Sequence, residues 1–339
     1  MFTLPEVEDA RRLVHESFPG TPQYAWPLLA LRTGAEVWVK HENHTPTGAF
    51  KLRGGLVYAE RLGRERPETP GIVSATRGNH GQSLAWAGRR YGVPITIVVP
   101  RDNSAEKNAA MRALGVRLIE HGSDFEAARE MANEIATEEG LVFAPSFTSE
   151  LVKGVATYAL ELFQAIPPLD ALYVPIGLGS GICGAIRTRD LLGLKTEIIG
   201  VQAAGADPYA RSFAAGQVIG INRAETLADG IAVRQPDPEA FAQIMAGAAR
   251  IVRVTDAEIA AAIRIYWTDT HNLAEGAGAA PLAALLQDRA SMAGKRVGLV
   301  LSGGNIDFAL FRDWVMALTA PPDDRLANAN AAHAAVDGW

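Results

Sequence analysis

The chain has 339 residues, with 32 Lys and Arg against 38 Asp and Glu, a formal net charge of −6. That balance excludes a protein that tracks a phosphate backbone with a cationic face, and 48% hydrophobic with 21% charged residues excludes a disordered chain. Its one cysteine, Cys183, excludes an internal disulfide and a multi-cysteine metal site, and a prior of about 150 residues per domain gives two domains.

The opening stretch, MFTLPEVEDARRLVHESF, is acidic and amphipathic, without the basic head and long apolar run of a signal peptide. No apolar run reaches ~18 residues, so no membrane span is expected and the protein is read as soluble and cytoplasmic. Strands are expected at Glu36–Lys40, Gly71–Ser74, Ile95–Val99, Arg117–Glu120, Ala171–Ile176, Glu197–Gln202 and Arg296–Leu301. Helical periods run over Gly81–Tyr91, Ala105–Leu114, Asp124–Glu139, Leu151–Ala165, Ile182–Leu192 and Asp256–Thr270. Runs such as PITIVVP and VGLVLSGG are apolar on both faces, as in parallel sheets covered by helices. The alternation reads as an α/β protein with right-handed crossovers. No linker divides the chain, so its two domains would be interleaved. The last stretch, APPDDRLANANAAHAAVDGW, reads as a frayed or loosely docked tail, with no regulatory domain after it.

Four segments could carry chemistry. In HENHTPTGAFKLRGG, Lys51 sits among Gly and Phe; it reads either as a surface helix start or as a Schiff-base lysine whose pKa is lowered by burial. SATRGNHGQS follows a strand and opens a helix, so Gly78, Asn79 and Gly81 either approach an anion or make a capped turn. VPIGLGSGICG runs from a buried strand into Gly177, Gly179, Gly181 and Gly184, a backbone cradle for one phosphate. Gly179-x-Gly181-x-x-Gly184 also matches the dinucleotide fingerprint, but the next strand ends in Gln202 rather than an acidic residue. LSGGNID puts Ser302 at a strand end, facing a ligand or capping a helix. Three glycine turns at strand ends and one glycine-flanked lysine point to a single crevice.

In this order the four segments resemble the fold-type II pyridoxal-phosphate enzymes, and within them the threonine/serine dehydratase and serine racemase family, from about Thr21 to Leu318. The resemblance implies a tryptophan synthase β-like α/β fold of two interleaved parallel-sheet domains. Residues 1–52 and 148–320 would form the large cofactor-binding domain, 53–147 the small substrate-binding domain, and 321–339 a tail. It implies pyridoxal 5′-phosphate as cofactor, with Lys51 as the Schiff-base lysine and Phe50 packed beside the ring. Asn79 would bond the 3′-oxygen, Gly177, Leu178, Gly179, Ser180 and Gly181 would form the phosphate cup, and Ser302 would face the pyridine nitrogen. Thr76, Asn79 and His80 lie where the family holds the substrate carboxylate, with Arg77 beside them. Leu178 and Ser180 replace two glycines of the family's loop, and Gly181 replaces its leucine.

The implied reaction is β-elimination from a β-hydroxy amino acid such as L-threonine or L-serine. Lys51 takes the α-proton, the β-hydroxyl leaves, and the released enamine becomes a 2-oxo acid and ammonia. Arg77 replaces the serine of serine racemase, which argues against racemisation. It could meet the extra carboxylate of a hydroxyaspartate-like substrate, line a pocket for a phenylserine or a hydroxyectoine breakdown product, or pair with a surface carboxylate. The cation loop of metal-activated members reads Gln202, Ala206 and Pro208 here, so no such metal is expected, with Asp207 as a residual candidate. Glu275 either tunes the cofactor or caps a helix, and Asp229-Gly230 is a turn approaching the cofactor. His44 and His271 read as structural. A small-molecule partner is expected, with neither nucleic acid nor membrane, and the family habit is a homodimer. β-Replacement, a nicotinamide oxidoreductase and a silent cofactor binder stay as alternatives.

Overall fold

The apolar runs separate into two sheets in a computed structural model that describes residues 2–316; the tail at 321–339 lies outside the described residues. The strands are β1 (Gln23–Ala25), β2 (Glu36–His41), β3 (Ile72–Ala75), β4 (Ile95–Val99), β5 (Arg117–Glu120), β6 (Val142–Phe143), β7 (Ala171–Pro175), β8 (Glu197–Ala203), β9 (Arg250–Val254) and β10 (Arg296–Leu301). One sheet has the order β1-β2-β10-β7-β8-β9, with β1 and β2 antiparallel and every other pair parallel. The second, β5-β4-β3-β6, is parallel throughout.

The helices between them are α1 (Leu4–His15), α2 (Pro27–Thr33), α3 (Lys51–Glu65), α4 (Asn79–Tyr91), α5 (Ala105–Ala113) and α6 (Phe125–Glu139). They continue with α7 (Ser149–Ala165), α8 (Ser180–Leu191), α9 (Pro208–Ala215), α10 (Pro238–Gly247), α11 (Asp256–Thr270) and α12 (Gly276–Met292). Successive side chains of a strand point to opposite faces. Val297, Leu299 and Leu301 of β10 enter one core with α11 and α12, while Val300 enters a second with α7 and α8. The four-stranded sheet is also packed on both faces, Ile72 on one side and Val73 on the other. This double burial is why central strands such as β4 and β10 read as continuous apolar runs.

Two features set the site. Helices α4 and α8 begin at Asn79 and Ser180, two residues before the helical period becomes visible in the sequence, so the glycine-rich joins themselves form first helical turns. Helix α3 crosses α7 at very close range. A Cβ at Gly154 would collide with the Arg53 carbonyl oxygen, and one at Gly54 would lie 2.8 Å from that of Leu151. Glycine at both positions lets the backbones touch, which fixes where α3 starts and so where Lys51 stands.

Candidate active site

Lys51 is the first residue of α3, and the chain before it is pinned to the end of β10. Phe50 N–H donates to the Ser302 carbonyl at 2.9 Å, Gly304 N–H donates to that of Gly48 at 2.9 Å, and Ala49 bridges Gly303. The Thr45 hydroxyl braces the same loop, donating to the Ala49 carbonyl and accepting from its N–H. Ser83 Oγ holds the Lys51 carbonyl at 2.7 Å. The Lys51 amine therefore reaches Ser180 Oγ, donating across 3.0 Å, and lies 5.1 Å from the Phe50 ring centroid. Burial lowers its pKa to about 8, because the ammonium is the form that loses hydration.

Behind Lys51 lies a buried ion cluster that no local motif announces. Arg53 is fully buried and holds two carboxylates, Nε to Glu42 at 2.6 Å and Nη1 to Glu161 at 2.6 Å. Lys40 Nζ donates to Glu161 at 2.7 Å. Burial pushes the Glu161 carboxyl up, but Arg53 and Lys40 outweigh it and hold it below its usual range. The surface reading of Lys51 is thus replaced by a buried amine with the Arg53 guanidinium under it.

The first turn of α8 carries the residues expected to form the phosphate cup. Gly179 has φ +103, a left-handed conformation, and a Cβ at Gly177 would lie 2.6 Å from the Gly230 carbonyl oxygen. Leu178 packs on the second core and its carbonyl accepts from Tyr209 Oη at 2.9 Å. Gly181 lies against Phe50, and its carbonyl accepts from Tyr158 Oη at 2.9 Å. Gly184 is a packing glycine instead, with Ala156 3.0 Å from where its Cβ would be, so the third glycine of the dinucleotide fingerprint serves the α7–α8 contact.

Asn79 opens α4, but its side chain caps nothing. Nδ2 donates to Glu275 Oε1 at 2.7 Å, and Oδ1 accepts from Asn305 Nδ2 at 2.8 Å. Asn305, the asparagine of LSGGNID, also donates to the Thr47 carbonyl at 2.8 Å. Glu275 occupies the N-cap position of α12 without a side-chain cap bond, which replaces the capping reading. Burial pushes its carboxyl up to about 7, with Lys107 opposing and Asp229 adding. Ser302 is buried and followed by a loop rather than a helix, which removes its capping reading. Thr76 Oγ1 accepts from Gly78 N–H at 3.0 Å. His80 is buried, and burial and then Lys51 lower its pKa to about 3, so it is neutral. Arg77 is half-buried and makes no hydrogen bond or ion pair among the described residues.

Asp207, the residual metal candidate, has its oxygens on Arg211 Nε at 2.7 Å and Arg253 Nη1 at 3.2 Å. Gln202 Oε1 accepts from Ala210 N–H. His44 bonds Asn272 Oδ1 at 2.8 Å, and His271 ends α11 in a left-handed conformation.

The starts of α3, α4 and α8 thus meet at one place, where backbone N–H groups favour an anion. Three buried polar atoms there, His80 Nε2, Thr47 Oγ1 and Glu275 Oε2, have no hydrogen-bond partner in the protein. A depressed amine, an anion cradle and unpaired polar atoms fit a phosphorylated aldehyde cofactor. A family model described as "Pyridoxal-phosphate dependent enzyme" matches residues 15–303. The chain belongs to this family.

The enzyme is 34% identical over 308 residues to an L-threonine ammonia-lyase of Thermotoga maritima, covering 91% of this chain and 76% of that protein. It is 30% identical over 306 residues to an L-threo-3-hydroxyaspartate ammonia-lyase of Saccharomyces cerevisiae, covering 90% and 94%. Among solved structures, the processed form of threonine deaminase isoform 2 from Solanum lycopersicum superposes with a TM-score of 0.84 at 27% identity, covering 94% of this chain and 95% of that one. The enzyme is accordingly a pyridoxal-phosphate-dependent member of the ammonia-lyase and dehydratase family, with the two-sheet α/β fold the resemblance implied.

Proposed function

We propose that the enzyme removes water from a β-hydroxy amino acid, with L-threonine and L-serine as the default substrates, and releases a 2-oxo acid and ammonia. The observation that carries this reading is the Lys51 amine, withdrawn from water to a pKa of about 8 and held 3.0 Å from the phosphate-cup hydroxyl of Ser180. Such an amine is a competent base near neutral pH. Pyridoxal phosphate, when bound, supplies an electron sink for the pair left at the substrate α-carbon. Gly177, Leu178, Gly179, Ser180 and Gly181 would hold its phosphate, Asn79 its 3′-oxygen and Phe50 one ring edge.

Ser302 would offer the ring nitrogen a neutral hydroxyl. A hydroxyl cannot form the salt bridge that a carboxylate would, so electrons are withdrawn less fully and prompt loss of the β-group is favoured. Lys51 takes the α-proton, and the ammonium so formed is the chain's own donor to the leaving hydroxyl. Thr76, Asn79 and His80 would receive the substrate carboxylate. In this scheme residues 53–147 form the substrate lobe, and 1–52 with 148–320 form the cofactor lobe.

A second reading concerns the β-substituent. Arg77, half-buried and unpaired among the described residues, favours a substrate with a second carboxylate, since a guanidinium binds one bidentately. The relative from Saccharomyces cerevisiae named for L-threo-3-hydroxyaspartate supports the same direction.

Incubation of the purified, cofactor-loaded protein with a panel of β-hydroxy amino acids tests the proposal. The expected result is 2-oxo acid and ammonia in equal amounts, lost in Lys51→Ala. An amino acid with a changed β-substituent, formed without ammonia when a thiol nucleophile is supplied, would establish β-replacement instead.

A further inference from the structure

We infer that Lys107 is a positioning residue of this site, a buried cation that arrives from α5 and holds the Glu275–Asn79 pair in the arrangement the cofactor needs. The inference rests on the proposed placement of Asn79 at the cofactor's 3′-oxygen. The α5 sequence, AEKNAAMRA, looks like a solvated helix face, and its lysine would ordinarily point into water. Here the Lys107 side chain is only 7% exposed. Its ammonium pairs with Asp229 Oδ2 at 2.5 Å and stands 3.8 Å from Glu275 Oε2. Its stem runs over Gly78, where a Cβ would collide with Lys107 Cδ. Glycine at the turn before Asn79 is therefore what lets the lysine pass.

The Asn79 amide is oriented from both ends. Oδ1 is taken by Asn305 and one Nδ2 hydrogen by Glu275, which leaves one Nδ2 hydrogen to donate. That orientation depends on Glu275, whose other oxygen is buried without a hydrogen bond. The groups facing Glu275 are Lys107 from α5, Asp229 from the 229–231 turn and the neutral Asn79 from α4. Asp307, from the loop after β10, also acts on Lys107. A buried carboxylate facing a second acid needs its one cation to stay charged. The same end of α5 is tied to that loop by Ser104 Oγ, which donates to Asp307, and by Glu106, which accepts from Phe308 N–H. Lys107 thus links the charge on Glu275 to the seating of α5.

A mutational cycle on cofactor binding separates positioning from simple bracing. Binding of pyridoxal phosphate is read by fluorescence in the wild type, Lys107→Met, Glu275→Gln and the double variant. Lys107→Met should weaken binding at least tenfold and Lys107→Arg should restore most of it. The double variant should bind no worse than Glu275→Gln alone, because both changes act through one pair. In turnover, the contribution of Glu275 to the acid limb of kcat/KM near pH 7 should move up by at least one pH unit in Lys107→Met, since the carboxylate has lost its cation, and should be absent in Glu275→Gln, which keeps only the limb set by Lys51. Asp229→Asn, which removes the ion pair but leaves the Lys107 charge, controls for folding. Additive losses in the double variant, or an unmoved acid limb, would overturn the inference. The binding arm needs no turnover. Wild-type protein that binds the cofactor yet yields no 2-oxo acid would therefore count against the proposed reaction and leave the Lys107 result standing.

Discussion

Lys51 and Ser180 face each other as the first residues of two helices, amine to hydroxyl across 3.0 Å. This is an unfavourable place for an ammonium. Burial strips its water, and the positive ends of α3 and α8 add repulsion in the same direction. The fold therefore carries a cost at Lys51, which the proposed role of this amine as the base would account for, a trade-off common at active sites.

The cofactor-free protein should show that cost. The unfolded chain keeps the Lys51 proton up to the ordinary pKa of 10.5, whereas the folded chain sheds it at about 8. Between those values the unfolded state binds more protons, so stability rises with pH, and below about pH 8 the whole penalty applies. Lys51→Met should thus stabilise the cofactor-free protein by roughly 3 kcal/mol at pH 7, less any loss of packing, with the gain fading toward pH 10.5. Urea unfolding at pH 7 and pH 10 reads the difference. An equal effect at both would mean that the amine is ordinarily solvated.

Arg53→Met should be severe. It leaves Glu161 buried with Lys40 and the half-exposed His15, and Glu42 buried with the Thr21 hydroxyl but no cation among these contacts, and breaking a buried pair from one side costs about 3–5 kcal/mol. Arg53→Lys should not recover it, because an ammonium cannot serve both carboxylates with a planar fork. Thermal unfolding of the two variants would be indistinguishable from wild type if the cluster contributed nothing.

Gly154→Ala tests the seating of α3 at a distance from the chemistry. The added methyl runs into the Arg53 carbonyl, a backbone group that cannot swing away. Overpacking of this kind costs about 1–3 kcal/mol. The shift should be felt two residues back at Lys51, as a fall in kcat larger than the change in KM. A variant that lost stability while keeping wild-type kcat would show that the α3–α7 crossing does not set the amine.

How much of this was legible follows from range along the chain. β4 and β10 are read to the residue because both faces are buried and the apolar run ends where the strand does. β9 escapes, since Arg250 and Arg253 interrupt an edge strand that is only half-buried. Helix α12 escapes for the opposite reason. Gly276 to Leu285 are buried on every side, so no amphipathic period exists, and Pro281 sits inside the helix. Lys51, Asn79 and Ser302 stand out as candidates because each lies in a short motif at an element's edge. Their hydrogen-bond partners and the ion cluster beneath them lie far off in sequence, with Glu275 196 residues from Asn79 and Glu161 108 from Arg53. Gly54 and Gly55 lie in the same motif as Lys51. Both serve packing instead, Gly54 against α7 and Gly55 against Ser83.

Arg77 offers the sharpest test of substrate choice. A half-buried guanidinium without a partner among the described residues gains most from a carboxylate that only some substrates carry. If that carboxylate sits on the β-carbon, Arg77→Gln should lower kcat/KM for a 3-hydroxyaspartate by about 100-fold, the size expected for losing one hydrogen-bonded charge pair of 2–5 kcal/mol. The same change should alter kcat/KM for threonine and serine by less than about threefold, because neither presents a second anion to the guanidinium. Full progress curves on the three substrates with one enzyme preparation give both ratios. A uniform fall would mean that Arg77 acts on the shared α-carboxylate or on the loop from Thr76 to His80, and the second carboxylate would then have no reader on this chain.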